Sequence, residues 1–455
     1  MASLRSGQLL RGITSGLTCR VERLLGEGGQ GEVYEVNLDG RSYALKWYND
    51  VVLRVDRSLR HRLQVAIDRG APSPKFLWPF ELVSLPDGSR LGYLMRLRRP
   101  GLVDLHSLLR EAVNPSFRTL ATMGCLLTDA LFALHAKGLA YRDLNAGNVF
   151  FDPVSGDIEI CDNDNVDVDG APSVIGGVRE YQAPEIVLQQ ATTSRATDLH
   201  SLAVMLFKLL HIGHPLRGRR ELEHPNLASD LATRRLYGSE ARFVFDPADE
   251  SNRPIPDLHG RVIGFWEIYP QFLRELFTRA FTTGLHDPVH GRVQETEWRR
   301  AMSRLRDAVH TCPQCGAGNF YDAKRIAAKA QRFACWGCGA SLDAAPARLG
   351  IRRSGARREE APAHIIILEA GATLYAHHTA GAEIDFTSPT AEVRAIDGTL
   401  HLVNCTASPW HIGQGDAARS VEPNQGFPIA DAARVRFERL EGEIKLPAAL
   451  AGVQS

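Results

Sequence analysis

Apolar positions along this chain recur in two rhythms that trade places from one region to the next. Residues 24–36 begin and end in β-like apolar runs, and over 42–48 apolar and polar side chains alternate, the period of a half-buried strand. A glycine-rich turn divides the first run, which therefore reads as strand, turn, strand. In the second run Tyr43, Leu45 and Trp47 share one face, and Ala44 and Lys46 share the other. Residues 76–80 and 91–95 are apolar runs on either side of Pro86-Asp87-Gly88, a hairpin pattern. The rhythm then becomes helical. Leu120, Met123, Leu127, Leu131 and Leu134 form one stripe, and Leu202, Leu206, Leu209 and Leu210 form another. Between the stripes, Val149-Phe150-Phe151 and Ile158-Glu159-Ile160 suit short buried strands. Residues 272–281 and 295–309 are further amphipathic helices. Alternation returns at 365–368, 373–375, 393–396, 400–403, 435–437 and 444–446, with Gly, Pro and Asp turns between, as in a small β-sandwich.

A chain of 455 residues is too long for one core and predicts two to four domains. Fifty-three basic and 53 acidic residues give zero formal net charge, so no global field points to nucleic acid or to a membrane. Residues 1–16 hold no apolar run long enough for a signal peptide or a span, and the expected location is cytoplasmic. Of eight cysteines, Cys19, Cys125, Cys161 and Cys405 are scattered in apolar contexts and read as buried thiols. Cys312-x-x-Cys315 and Cys335-x-x-Cys338 form two knuckles, each followed by glycine. This is a strong pattern for a structural, four-thiolate zinc site of the zinc-ribbon kind.

The candidate chemistry sits at the strand ends. Tyr141-Arg142-Asp143-Leu144-Asn145-Ala146-Gly147-Asn148 precedes one apolar run, and Asp162 follows the next. Such positions can hold acidic oxygens close together, as magnesium with phosphates requires. Upstream, Gly26-x-Gly28-x-x-Gly31-x-Val33 lets the backbone approach phosphate oxygens. A strand follows its third glycine, whereas a dinucleotide fingerprint would open a helix there. Lys46 lies on the small-residue face of the next strand, within reach of a phosphate.

The order glycine loop, Ala44-x-Lys46, Arg142-Asp143-(x4)-Asn148, Asp162 and Ala183-Pro184-Glu185 resembles the protein-kinase signature set. The resemblance is to bacterial kinases of the eukaryotic serine/threonine type and covers roughly residues 17–310. It implies an α+β class: a bilobal protein-kinase fold, followed here by a zinc ribbon and a small all-β sandwich. The expected division is an N-terminal tail 1–16, small lobe 17–97, large lobe 98–310, zinc ribbon 311–345, linker 346–363, sandwich 364–448 and tail 449–455. The implied ligands are ATP, magnesium (with manganese as an alternative) and structural zinc. Gly26, Glu27, Gly28, Gly29, Gln30, Gly31 and Val33 would cover the nucleotide. Lys46 would hold its phosphates, and Ala44, Met95, Arg96 and Leu97 would line the adenine. Asp143 would orient the substrate hydroxyl and accept its proton, with Asn148 and Asp162 on magnesium. Arg142 marks the type whose activation segment an anion can order. Glu185 would pair with Arg292, and Asp198 would bond the catalytic-loop backbone. Ser173 is the candidate phosphosite.

Departures from the family pattern are specific. Asp162-Asn163-Asp164 replaces Asp-Phe-Gly, Tyr141 replaces a histidine, Asn145 replaces a lysine and Val178 replaces a threonine. Arg179 or Asp164 are the residues expected to compensate. No glutamate lies in the helix expected within 56–68, so either Gln64 or Asp68 substitutes as the partner of Lys46 or the pair forms only in another state. The expected partners are a protein substrate, a partner phosphatase and a von Willebrand A-domain protein, with no nucleic acid and no membrane. Arg96, Arg98 and Arg99, and Lys324, Arg325, Lys329 and Arg332, read as solvated faces. The β domain looks like a forkhead-associated domain in strand rhythm but lacks its Ser-Arg-x-x-His signature. His377 and His378 are read as strand neighbours facing opposite sides. The alternative function is a nucleotide-binding pseudokinase that recruits partners through its zinc and β modules.

Overall fold

The computed structural model describes every residue except 1–2, 86–89, 172–176, 225, 323–333, 343–345, 356–360, 382–384, 414–417 and 448–455. Ser173, the turn 86–88 and the four basic residues between the knuckles thus lie outside the described residues. The chain divides into two compact units.

The first unit comprises Met1–Asn114, Leu126–Ile263 and Glu275–Thr296. It begins with six strands: β1 (Leu9–Gly12), β2 (Thr18–Gly28), β3 (Gly31–Leu38), β4 (Arg41–Tyr48), β5 (Glu81–Ser84) and β6 (Leu91–Met95). They close into a barrel in the order β1-β2-β3-β4-β6-β5. Alternation aims Val21, Tyr34, Val36, Leu45 and Trp47 into one core. The opposite face of β4 places Ala44 and Tyr48 against Leu59 and Leu63 of a helix. That helix, α2 (Leu59–Arg69), follows a short α1 (Asp50–Val55).

Of the segment expected as a tail, the described residues 3–16 are part of the fold. Strand β1 pairs with β2 and with β5 and thereby closes the barrel, and Leu4 and Leu10 are buried. The buried carboxylate of Glu81 fixes the β1–β2 turn by accepting the N–H groups of Thr14 and Ser15, each at 2.9 Å. Four residues are too few for alternation to stand out, and the carboxylate that holds the turn lies far along the sequence.

Helix Arg195–His211 is buried almost throughout, and a reciprocal Ser194–Thr197 capping box starts it. Helix Phe117–Ala136 is long and apolar enough to cross a membrane by length and composition, and most of it is buried within the protein. Strand Val149–Phe151 pairs with Ile158–Ile160, and Leu139–Ala140 pairs with Asp167–Val168. These two pairings bring the loops 141–148 and 161–166 face to face.

The second unit comprises Pro115–Cys125, Gly264–Arg274 and Glu297–Ser455. A hairpin, Val309–Thr311 with Gly318–Phe320, carries the first cysteine knuckle. Beyond the second knuckle, a six-stranded and a four-stranded antiparallel sheet enclose one core that includes Leu349, Ile351, Leu374, Val393 and Trp410. Residues 346–363, expected as a linker, contain the strand Arg348–Arg353, which pairs on both sides within the six-stranded sheet. Leu349 and Ile351 point inward, and the arginines between them hide the period in an Arg- and Gly-rich composition. His377 and His378 also correct their expectation. They lie on a one-turn helix, Ala376–Thr379, and both are buried. There His378 Nε2 bonds Asp307 at 3.0 Å and His377 Nε2 bonds Ser303 at 2.9 Å.

Candidate functional site

Asp198 anchors the loop 141–148 by accepting the backbone N–H groups of Tyr141 (2.5 Å) and Arg142 (2.9 Å). Arg142 is held at φ 74°, a left-handed backbone that a non-glycine residue adopts only when its surroundings impose it. His135 Nε2 bonds Asp198 at 3.1 Å, and its other ring nitrogen bonds Glu295. Burial disfavours the imidazolium, but those two carboxylates raise the His135 pKa to about 9. The Tyr141 hydroxyl donates to the carbonyl of Cys161 and so ties the two loops together.

Asp143 lies at the centre. Asn145 Nδ2 (3.0 Å) and the Val178 N–H (3.2 Å) donate to its Oδ1, and Asn165 Nδ2 (3.3 Å) donates to its Oδ2. Val178 thus supports the aspartate through its backbone, where the family uses a threonine side chain. Burial raises the Asp143 pKa, while the bonds from Asn145 and Val178 oppose the rise. Gly177 sits at φ 47°, and a Cβ there would stand 3.1 Å from Gln182 Nε2 and 3.3 Å from Asp143 Oδ1. Asn148 Nδ2 donates to the carbonyl of Asp143 at 2.9 Å, which leaves Oδ1 of Asn148 as an acceptor. Asp162, at φ 53°, has its side chain 44 % exposed. An all-oxygen pair of this kind fits magnesium or manganese.

Lys46, 4 % exposed, brings its ammonium to the same place. Its Nζ donates to Gln30 Oε1 (2.8 Å), Asp162 Oδ1 (3.3 Å) and both oxygens of Asp164 (2.9 and 3.0 Å). Burial opposes the charge, but Asp164 and then Asp162 outweigh it and hold the lysine pKa above its ordinary value. The expected helix partners do not reach Lys46: Gln64 Nε2 donates to Asp68 at 2.8 Å on an exposed face. The residues expected to compensate for the missing lysine have partners of their own. Arg179 is paired with Asp230 at 2.6 Å, and Asp164 is consumed by Lys46. Asn163, fully buried, donates from Nδ2 to the carbonyls of Leu77 and Ile160.

The remaining expected residues fall around this cluster. Gly26, Glu27 and Gly28 end β2, Gly29 and Gln30 make the turn, and Gly31 and Val33 open β3. A Cβ on Gly31 would meet the Trp47 carbonyl oxygen at 2.0 Å, so backbone approach alone demands glycine there. Val33 and Leu97 pack against the cluster that contains Ala44 and Met95. Arg96 and Arg99 bind the buried carboxylate of Glu159 at 2.6 and 2.9 Å. Arg292 clamps Glu185 through Nη2 at 2.7 and 2.8 Å. Arg142 bonds Asp167 at 3.2 Å and the carbonyl of Ala171 at 2.8 Å. Two cavities, of about 620 and 560 Å³, touch the outer residues of this set: one is lined by Tyr43, Trp78 and Arg96, the other by Glu27, Gly28 and Gly31 of the glycine turn together with Asp50 and Arg90. Asp143 and Lys46 line neither, and the polar convergence outweighs cavity size in locating the chemistry.

In the second unit, Cys312, Cys315, Cys335 and Cys338 bring four sulfurs within 4.8 Å of one another. Cys312–Cys338 and Cys315–Cys335 are 3.8 and 3.6 Å apart. A tetrahedron with Zn–S of about 2.3 Å has edges of about 3.8 Å. Asn319 Nδ2 and the Gly337 N–H point at the Cys335 sulfur, as donors to a thiolate do. The donor set fits zinc.

Residues 84–258 match the family described as protein kinase domain. Over that stretch the chain is similar to protein kinase domains. The matched stretch contains Asp143, Asn148 and Asp162, and Lys46 lies before it. The DNA damage-responsive serine/threonine-protein kinase RqkA of Deinococcus radiodurans is 30 % identical over 248 residues, which is 53 % of this chain and 35 % of that protein. Ribosomal protein S6 kinase alpha-2 of Mus musculus is 26 % identical over 305 residues, 64 % of this chain and 39 % of that protein. Thus the chain spans little more than a third of the length of these two relatives. The Mycobacterium tuberculosis PknI kinase domain aligns at a TM-score of 0.44 and 20 % identity, covering 67 % of this chain and 99 % of that one.

Sequence reading missed Asn165 as a support of Asp143, and Asp164 as the partner of Lys46. One signal was present: Asp162-Asn163-Asp164-Asn165 is an uninterrupted polar run where a kinase ordinarily buries an aromatic ring.

Proposed function

We propose that this chain is an ATP- and magnesium-dependent protein kinase that phosphorylates serine or threonine hydroxyls, its own among them. The convergence of Lys46, Asp143, Asn148 and Asp162 on one site carries this reading. Lys46 would hold the nucleotide phosphates by charge and hydrogen bonding, with the glycine turn of β2–β3 above them. Asn148 and Asp162 would hold magnesium, which when bound screens the charge of the phosphates. Asp143, aimed by three N–H donors, accepts the proton of the substrate hydroxyl at a carboxylate oxygen as that hydroxyl attacks. Its partly buried setting raises its basicity toward that task.

One observation favours the alternative of a nucleotide-binding scaffold: the Asn145 amide folds back on Asp143, where the family extends a lysine toward the transferred phosphate. Phosphate incorporation from labelled ATP, with and without magnesium, separates the two. The kinase reading expects incorporation that requires magnesium and is lost in Asp162→Asn. Nucleotide binding without incorporation would establish the scaffold.

In the same reading the cysteine cluster is a structural zinc ribbon, tested by one equivalent of zinc in the purified protein. The β-sandwich is a docking or autoregulatory module of the forkhead-associated kind, and the setting is bacterial signalling opposite a phosphatase and alongside a von Willebrand A-domain protein. These partners rest on the family resemblance and are testable by co-purification.

A further inference from the structure

Lys46 is held from the segment that follows Asp162, and helix α2 supplies no carboxylate to it. Asp164 meets it with both oxygens, and its side chain is 2 % exposed. The Tyr48 hydroxyl donates to Asp164 Oδ2 at 2.6 Å, and Arg62 Nε of α2 donates to the Asp164 carbonyl at 2.8 Å. Helix α2 therefore presents a guanidinium to this corner of the site. Arg62 is itself paired with Asp56 at 2.7 Å.

We infer that Asp164 is the positioning residue for Lys46 in nucleotide binding and phosphoryl transfer, and that this lysine is set independently of any acid on α2. The inference rests on the kinase reading only for its second half. An ammonium has three N–H donors. Asp164 engages Lys46 from within the core, whereas Gln30 and Asp162 engage it from the side that opens to the glycine turn. Phosphate oxygens entering beneath that turn can replace Gln30 while Asp164 keeps the lysine in place. In a kinase whose lysine is paired from a mobile helix, displacement of the helix disarms the lysine. Here the partner is two residues from Asp162, so the lysine and the metal-binding carboxylate are set together.

The test uses the full chain, a fluorescent ATP analogue with magnesium, and steady-state transfer to a serine/threonine peptide. Asp164→Asn keeps shape and removes charge. It is expected to weaken nucleotide binding by about tenfold or more, the loss of one charge-assisted bond, with a matching rise in KM for ATP. In a Lys46→Met background the same substitution should change affinity less than about twofold, because the pair acts as one. Gln64→Ala and Asp68→Asn should leave binding and turnover unchanged. Wild-type affinity in Asp164→Asn, an equal loss in the Lys46→Met background, or an equal loss in Asp68→Asn overturns the inference. Should Asp164→Asn fail to fold, Tyr48→Phe, which removes only a donor to Asp164, carries the test. It should weaken binding in the wild type and have no effect in Lys46→Met, and equal effects in both refute the inference. A wild type that binds nucleotide but transfers nothing sinks the kinase reading, yet leaves the dependence of binding on Asp164 to stand or fall separately.

Discussion

His135 makes the stability of the first unit depend on alkaline pH. Its ring, 2 % exposed, bridges two buried carboxylates, and Arg195 also binds one of them, Glu295, at 2.9 Å. A histidine raised to about 9 in the folded state contributes stability that is full below the ordinary imidazole value and is lost as pH rises through about 9. Those values give a contribution of about 3 kcal/mol at most, of which about 2 kcal/mol disappears between roughly pH 7.5 and 10. Glu295, lowered to about 2 chiefly by His135 and Arg195 against the cost of burial, reports the same contact from the acid side, so the two are not added. Its share is present above the ordinary glutamate value and lost as pH falls through about 2. The perturbation is His135→Gln, which keeps a donor and removes the titration. Denaturant unfolding of both proteins at the two alkaline pH values isolates the histidine from the tyrosines and lysines that titrate in the same range. The stability gap between wild type and variant should shrink by about 2 kcal/mol at the higher pH. An unchanged gap would refute the charged bridge.

Three further outcomes follow from the site. Asn165→Ala removes a donor to Asp143 Oδ2; kcat should fall by about tenfold, and the acid limb of the kcat/KM profile should move to higher pH because the carboxylate loses stabilisation. Asp167→Asn leaves the buried Arg142 guanidinium without its carboxylate; turnover should fall by roughly ten- to a hundredfold while nucleotide affinity, measured by titration, holds. Chelation of zinc should lower the melting temperature and shift tryptophan emission, because Trp336, beside Cys335, donates its indole N–H to the Gly318 carbonyl at 2.6 Å. Cys335→Ser should show the chelated behaviour from the start.

Much of the candidate site's arrangement could be read in advance because it is local. The spacing of Asp143, Asn148 and Asp162 is set by strands of three residues and the loops between them, and such spacing survives translation into one dimension. What escaped reading was carried by distant partners. Lys46 finds Asp164, 118 positions away, and no rule of spacing points there. Strand β1 is held on one side by β2 and on the other by β5, which lies far along the sequence. The strand Arg348–Arg353 shows its period to the core in Leu349 and Ile351 but is masked by arginines that suit a linker equally well. His377 and His378 were misjudged because strand alternation was assumed where the chain makes a single helical turn.

The central claim is that Asp143 acts as the proton acceptor of a phosphoryl transfer at this site. Single-turnover transfer from labelled ATP, at saturating magnesium nucleotide, compares wild type with Asp143→Asn. Transfer by wild type, slowed by about 10² or more in the variant with nucleotide affinity unchanged, is the predicted result. Equal transfer by the two proteins, or none by either, would contradict it.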